Sequence, residues 1–227
     1  MYKITFQLNA PICFLERPNF DSMLIYCYMR EKYGNLMVDL DMSGDQLSNF
    51  PDLPIPYHAD GYPLASVMCW DPKKAVEYTG SWKKRWDNRN DDLADFQGKV
   101  RKVRINSQEY KSYDIPLNLW SIPEVCFYFE SDNPQRVQQL VLQELAGIGK
   151  KVSQGFGMYS GFEITESDKD FKKEILRPLR ADMKSSQKIV TNAMKTPPVY
   201  IANRYCAWRP PYYLPENFAQ CFYPGDL

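Results

Sequence analysis

The residues best placed for chemistry lie between positions 147 and 161, in the run Gly147-Ile148-Gly149-Lys150-Lys151-Val152-Ser153-Gln154-Gly155-Phe156-Gly157-Met158-Tyr159-Ser160-Gly161. Five of the chain's eleven glycines fall there. Glycine admits positive φ and lets backbone N–H groups come close to a ligand. Successive N–H groups in such turns make an anion nest. Lys150 and Lys151 add formal charge, and Ser153 and Gln154 add neutral donors. The chemistry this combination suits is capture of a phosphodiester backbone, with Gly149, Gly155 and Gly157 shaping the path. Phe156 either stacks on a base or closes the loop as a core residue. A Walker A loop and a dinucleotide fingerprint are both excluded, because each runs from a strand into a helix and this loop runs from a helix into a strand.

A second basic stretch spans Ser81–Arg104. It carries eight basic and four acidic residues, a local excess of four positive charges in a chain with 28 of each sign. Trp82 and Trp86 share a face if the stretch is helical. Lys83, Lys84, Arg85, Arg101 and Arg104 are candidate phosphate contacts, with the rings available to bases. The alternative is a solvated surface helix followed by an edge strand protected by charge. Because total charge is zero, a globally basic nucleic-acid binder is excluded; phosphate affinity must come from where charge is placed.

His58 is the chain's only histidine. Metal-independent RNA cleavage needs a proton shuttle, commonly a histidine, so His58 is the candidate catalytic residue of a rival, enzymatic reading. No GxSxG motif occurs, and no cysteine has a histidine near it. The six cysteines are scattered without a CxxC pair, so no metal or cofactor is expected. They sit in apolar runs and read as small buried hydrophobes in a reducing compartment. With no leader peptide and no bilayer-length apolar run, the sequence predicts a soluble, cytoplasmic protein without a membrane partner.

The elements that must position these residues follow from periodicity. Tyr2–Asn9 alternates and predicts a strand. Phe20–Tyr33 predicts a helix, capped by Asn19 or Asp21 and ended by Gly34. Pro63–Trp70 and Lys99–Ile105 predict strands, as does Val125–Glu130. Asp132 or Asn133 caps the next helix, with Pro134 in its first turn and Val137, Leu140, Val141 and Leu145 on its apolar face. Met158–Ile164 predicts the strand after the loop, and Phe171–Met194 is expected to be partly helical. With 227 residues and 44% hydrophobic content, one core with a large insertion is expected. The order gives an α+β, ferredoxin-like (RRM-like) domain over 1–167. An insertion falls at about 60–122, and an irregular C-terminal extension over 168–227 packs on the domain.

The segment Gly149-Lys150-Lys151-Val152-Ser153-Gln154-Gly155-Phe156-Gly157 resembles the glycine-rich loop of the RAMP superfamily of CRISPR-associated proteins, which follows the second helix of a ferredoxin-like domain. Phe20-Asp21-Ser22-Met23-Leu24-Ile25-Tyr26 is similar to the first helix of that superfamily. The Pro210–Pro215 tail, with Cys221 and Pro224 after it, is similar to the type IV version of the handle-capping subunit (the fifth Cas family). The resemblance implies a non-catalytic subunit that grips the 5′ handle of the CRISPR RNA, caps a filament of backbone subunits and touches the large subunit. It leaves open contact with target DNA near the protospacer-adjacent motif. It also implies a thumb from mid-chain, for which Ser81–Arg104 is the candidate. Two rivals stand beside it: a RAMP-type endoribonuclease acting on precursor RNA, and an aromatic-rich interaction protein without nucleic acid.

Overall fold

The computed structural model describes residues 1–34, 53–84, 113–194, 201–210 and 212–225. Among these residues it is an α+β structure with three antiparallel three-stranded sheets and three α-helices. The first sheet forms because β1 (Tyr2–Leu8) alternates as its sequence predicts, with Ile4 and Phe6 fully buried. β1 is central, between β5 (Glu124–Phe129) and β6 (Tyr159–Glu166), and antiparallel to both. Phe6, Phe127 and Phe162 pack across this sheet with ring centroids within 6.0 Å. A fully buried ring of this kind contributes about 1.5–3 kcal/mol.

Helix α1 (Phe20–Tyr33) and helix α2 (Pro134–Glu144) pack against each other over this core. Phe20, Leu24, Cys27 and Tyr28 give α1 its buried face, and Gly34 ends it with φ +53° and an N–H donated to Arg30 O. Asn19 holds the cap position but makes no capping bond from its side chain, and Asp21 is fully buried instead. Asn133 caps α2 as expected, its side chain accepting from the Arg136 N–H at 3.0 Å.

Residues 64–69 run beside β5 on its far edge. The Cys69 and Cys126 backbones exchange two hydrogen bonds of 2.8 Å, and Ser66 N donates to Tyr128 O. The strand expected over Pro63–Trp70 is thus an irregular segment in a strand's place, since its backbone also serves Phe20, Pro18 and Leu176 on its other side.

A hairpin of β3 (Val76–Lys84) and β4 (Tyr113–Ser121) forms the second sheet with β2 (Ile12–Cys13). Trp82 lies in this hairpin, so the helical face shared with Trp86 is replaced by strand geometry; Trp86 and the strand expected over Lys99–Ile105 lie outside the described residues. The extension expected to be irregular carries a sheet and a helix among its described residues. β7 (Leu179–Arg180), β9 (Phe218–Pro224) and β8 (Ile201–Ala207) form the third sheet, and α3 (Lys184–Ala193) packs on it. Pro210 and Pro215 fall in bends and a 3-10 turn rather than in strands, which leaves the ladder uninterrupted. No helix among the described residues is long and apolar enough to cross a membrane.

Candidate nucleic-acid interface

The glycine loop begins where Leu145 leaves the helical region after α2. Tyr159 closes that end by donating its hydroxyl to Leu145 O at 2.6 Å. Ile148, fully buried, pins the loop into the core. Two glycines permit contacts no side chain allows. A Cβ on Gly157 (φ +64°) would stand 1.8 Å from Ile148 O, and one on Gly149 (φ +89°) would stand 2.6 Å from Cys13 O.

These close approaches commit the backbone. Among the nine amides from Gly149 to Gly157, four donate within the protein: Lys150 to Cys13 O, Gln154 to Lys151 O, Gly155 to Val152 O and Gly157 to Pro11 O, at 2.7–2.9 Å. Part of the amide lining expected from Gly149 to Gly157 is thus turned toward the loop's own fold rather than outward. What faces outward is the Lys150 side chain and the rim formed by Ser153, Gln154 and Gly155, all exposed.

The two lysines separate in role. Lys151 adopts the left-handed region (φ 63°), the only non-glycine to do so among the described residues. Its Nζ stands 4.1 Å from the centroid of the Trp82 ring. This contact joins the loop to the β3–β4 hairpin and contributes about 0.5–1 kcal/mol. Phe156 is half-buried beside Cys13, Leu117 and Leu119, so it closes the loop against the hairpin root. Lys150 makes no ion pair among the described residues.

Lys150 stands at the edge of a groove of about 450 Å³ between the glycine loop and the first turns of α1. Phe14, Met23, Tyr26 and Leu145 wall it, and Glu16 and Ser22 add polar groups. Arg30 donates to the Tyr26 hydroxyl at 3.2 Å and to Glu144 at 3.2 Å, which fixes the Tyr26 ring at the outer lip. The groove can take a ring stacked on apolar walls while its phosphate meets Lys150.

No protein-family model and no curated protein matches this chain.

The other expected residues are placed differently. Lys83 pairs with Asp114 across the hairpin at 3.3 Å, so its charge is engaged. Lys84 is the last residue of β3. Arg85, Arg101 and Arg104 lie outside the described residues. His58 sits away from the glycine loop's cluster, stacked on Tyr62 at 4.6 Å, a ring of the C-terminal core. Its Nδ1 is 3.1 Å from Asp60 Oδ2, which also accepts from Ser185 Oγ. The carboxylate stands between hydroxyl and imidazole, so this imidazole is not arranged to activate that serine.

Sequence reasoning missed a buried cluster under the C-terminal sheet. Arg177 is 1% exposed, and its guanidinium donates to Pro63 O, to Ala65 O at 3.1 Å, to Trp208 O at 2.9 Å and to the Tyr212 hydroxyl at 3.0 Å. Tyr212 in turn donates to Asp21 Oδ2 at 2.6 Å. Burial pushes the Asp21 carboxyl up, while Arg177 and the Tyr212 hydrogen bond pull it back. The signal was present: a lone cation inside the apolar run Ile175-Leu176-Arg177-Pro178-Leu179 is rarely buried unless it is paired.

Proposed function

We propose that this chain is a non-catalytic RNA-binding subunit of a CRISPR ribonucleoprotein effector, built on a ferredoxin-like RAMP domain. It grips the 5′ handle of the CRISPR RNA and caps the backbone filament. The order β6-β1-β5 followed by residues 64–69, with α1 and α2 on that sheet, supports the ferredoxin-like reading. The pairing of β3 with β4 supports a thumb, because it forms a two-stranded unit from mid-chain outside the central sheet.

The observation that carries the reading is an exposed lysine, Lys150, at the rim of a partly apolar groove next to a rigid glycine loop. A phosphate contact of this kind adds affinity in a salt-dependent way. The test is binding of repeat RNA across a salt series. Lys150→Ala is expected to weaken binding and to reduce the logarithmic salt slope by about one. Equal slopes for variant and wild type would refute the proposal. RNA cleavage in chelator that disappears in His58→Ala would replace it with the endoribonuclease reading.

A further inference from the structure

The loop between β2 and α1 has a cavity on each side. Phe14 and Glu16 line the groove beside Lys150 and also a second, smaller cavity of about 220 Å³. This second cavity is formed by Phe14, Arg17, Trp70, Trp120, Arg204 and Tyr223, drawn from five separate parts of the chain. The glycine loop contributes nothing to it.

Its floor is an aromatic box. Phe14 stacks on Trp120 at 5.7 Å with an interplanar angle of 17°, and Trp70 meets both rings, at 5.7 Å and 5.9 Å. Both indoles are half-buried, so each keeps surface toward solvent. Two guanidinium groups stand at its edge. Arg17 lies over Trp70 at 5.1 Å and over Tyr223 at 5.6 Å. Arg204, exposed on edge strand β8, lies over the other reach of Tyr223 at 4.9 Å. Ring contacts hold these cations flat and limit their rotamers before any ligand arrives.

The size and chemistry select the occupant. The cavity is smaller than a site for a drug-sized molecule and suits one planar ring system. Indole walls stack on any base, and a guanidinium fork matches phosphate oxygens. Arg204 is exposed whereas Arg17 is half-buried against its two rings, so Arg204 is the cation open to a phosphate; Glu16, exposed at the same cavity, opposes an anion there.

We infer that this second cavity takes one unpaired base of a single-stranded nucleic acid against the solvent-facing surfaces of Trp70 and Trp120, with its phosphate on Arg204. The ligand class follows the reading of the chain as a nucleic-acid binder, but the site does not depend on the glycine loop.

The test uses the full chain and a short oligouridylate carrying one photoactivatable thiouridine, with affinity read by anisotropy and the crosslinked peptide read by mass spectrometry. Crosslinks are expected at Trp70 or Trp120. Arg204→Gln and Trp70→Leu are each expected to weaken binding about tenfold. Glu16→Gln is expected to tighten it. Arg204 is exposed on an edge strand, so Arg204→Gln should keep its melting temperature even if Trp70→Leu does not fold.

The outcomes separate the two sites. If Lys150→Ala weakens binding while Arg204→Gln leaves affinity and crosslinks unchanged, the second cavity is not a base site and the inference is overturned. If Arg204→Gln weakens binding while Lys150→Ala does not, the inference stands and the glycine-loop proposal falls. If Arg204→Gln instead releases a co-purifying protein without changing oligouridylate affinity, the cavity is a protein contact and the inference is again overturned.

Discussion

The glycine loop and the joint beneath the C-terminal sheet handle charge in opposite ways. In the loop, backbone amides of Lys150 and Gly157 turn inward to Cys13 and Pro11, and the Lys150 ammonium is left outside. At the joint, the Arg177 guanidinium is sealed inside, and backbone carbonyls of Pro63, Ala65 and Trp208 turn toward it. A cation facing water interacts weakly until a polyanion arrives, so it can be devoted to binding. A cation stripped of water must be fully satisfied or it destabilises the fold. The same residue class is therefore left available at the surface in one region and serves as an internal brace in the other.

The sharpest way to break this contrast is Arg177→Ala. It leaves Asp21 buried without its cation, and a loss of about 3–5 kcal/mol in urea unfolding is expected. Combining Arg177→Met with Asp21→Asn removes both charges and should recover much of that loss. A small loss for Arg177→Ala alone would show that the joint is not a brace.

Next in size is Gly157→Ala. Its Cβ meets a backbone oxygen rather than a movable side chain, and φ is positive, so a loss of about 3 kcal/mol is expected from the same measurement. A neutral result would mean that the loop relaxes easily and is not held by its backbone contacts.

The two lysines sharpen the comparison within the loop. Lys151→Ala removes the contact with Trp82 and should lower stability by about 0.5–1 kcal/mol. Lys150→Ala should leave the melting temperature unchanged while altering the salt dependence of RNA binding. Equal stability effects would erase the division of labour between them.

The smallest effect concerns the exposed pair between α1 and α2. Arg136 hydrogen-bonds both oxygens of Glu31 and holds that carboxyl below its ordinary range. A depressed folded-state value gives stability that is present above the ordinary glutamate value of about 4.3 and is lost as pH falls through the folded value. At this exposure the amount is about 0.2–1 kcal/mol. Glu31→Gln should remove that part of the acid dependence; an unchanged pH profile would count against the pair.

Local elements were legible because their signals are local. Helix α1 runs from Phe20 to Tyr33 as its periodicity predicts, Asn133 caps α2, and the strands around 4, 127 and 162 follow their apolar patterns. What was not legible depends on residues distant in sequence. The groove joins Phe14 to Val152, and the second cavity joins Phe14 to Tyr223. No spacing rule spans such separations. Asp21 reads as a helix cap because aspartate is common there, yet the requirement to neutralise Arg177, 156 positions later, decides its place. The prolines and rings of the tail read as irregular for a similar reason: composition does not reveal that Pro210 and Pro215 fall at turns.

Strand β2 is only two residues long, yet Cys13 is hydrogen-bonded on both of its edges. One edge meets Leu119 of the hairpin, and on the other the Cys13 carbonyl receives the Lys150 amide. Strands β3 and β4 are thereby joined through this short rung to the lysine at the groove's rim. A displacement of either strand has a short hydrogen-bonded route to that lysine's backbone.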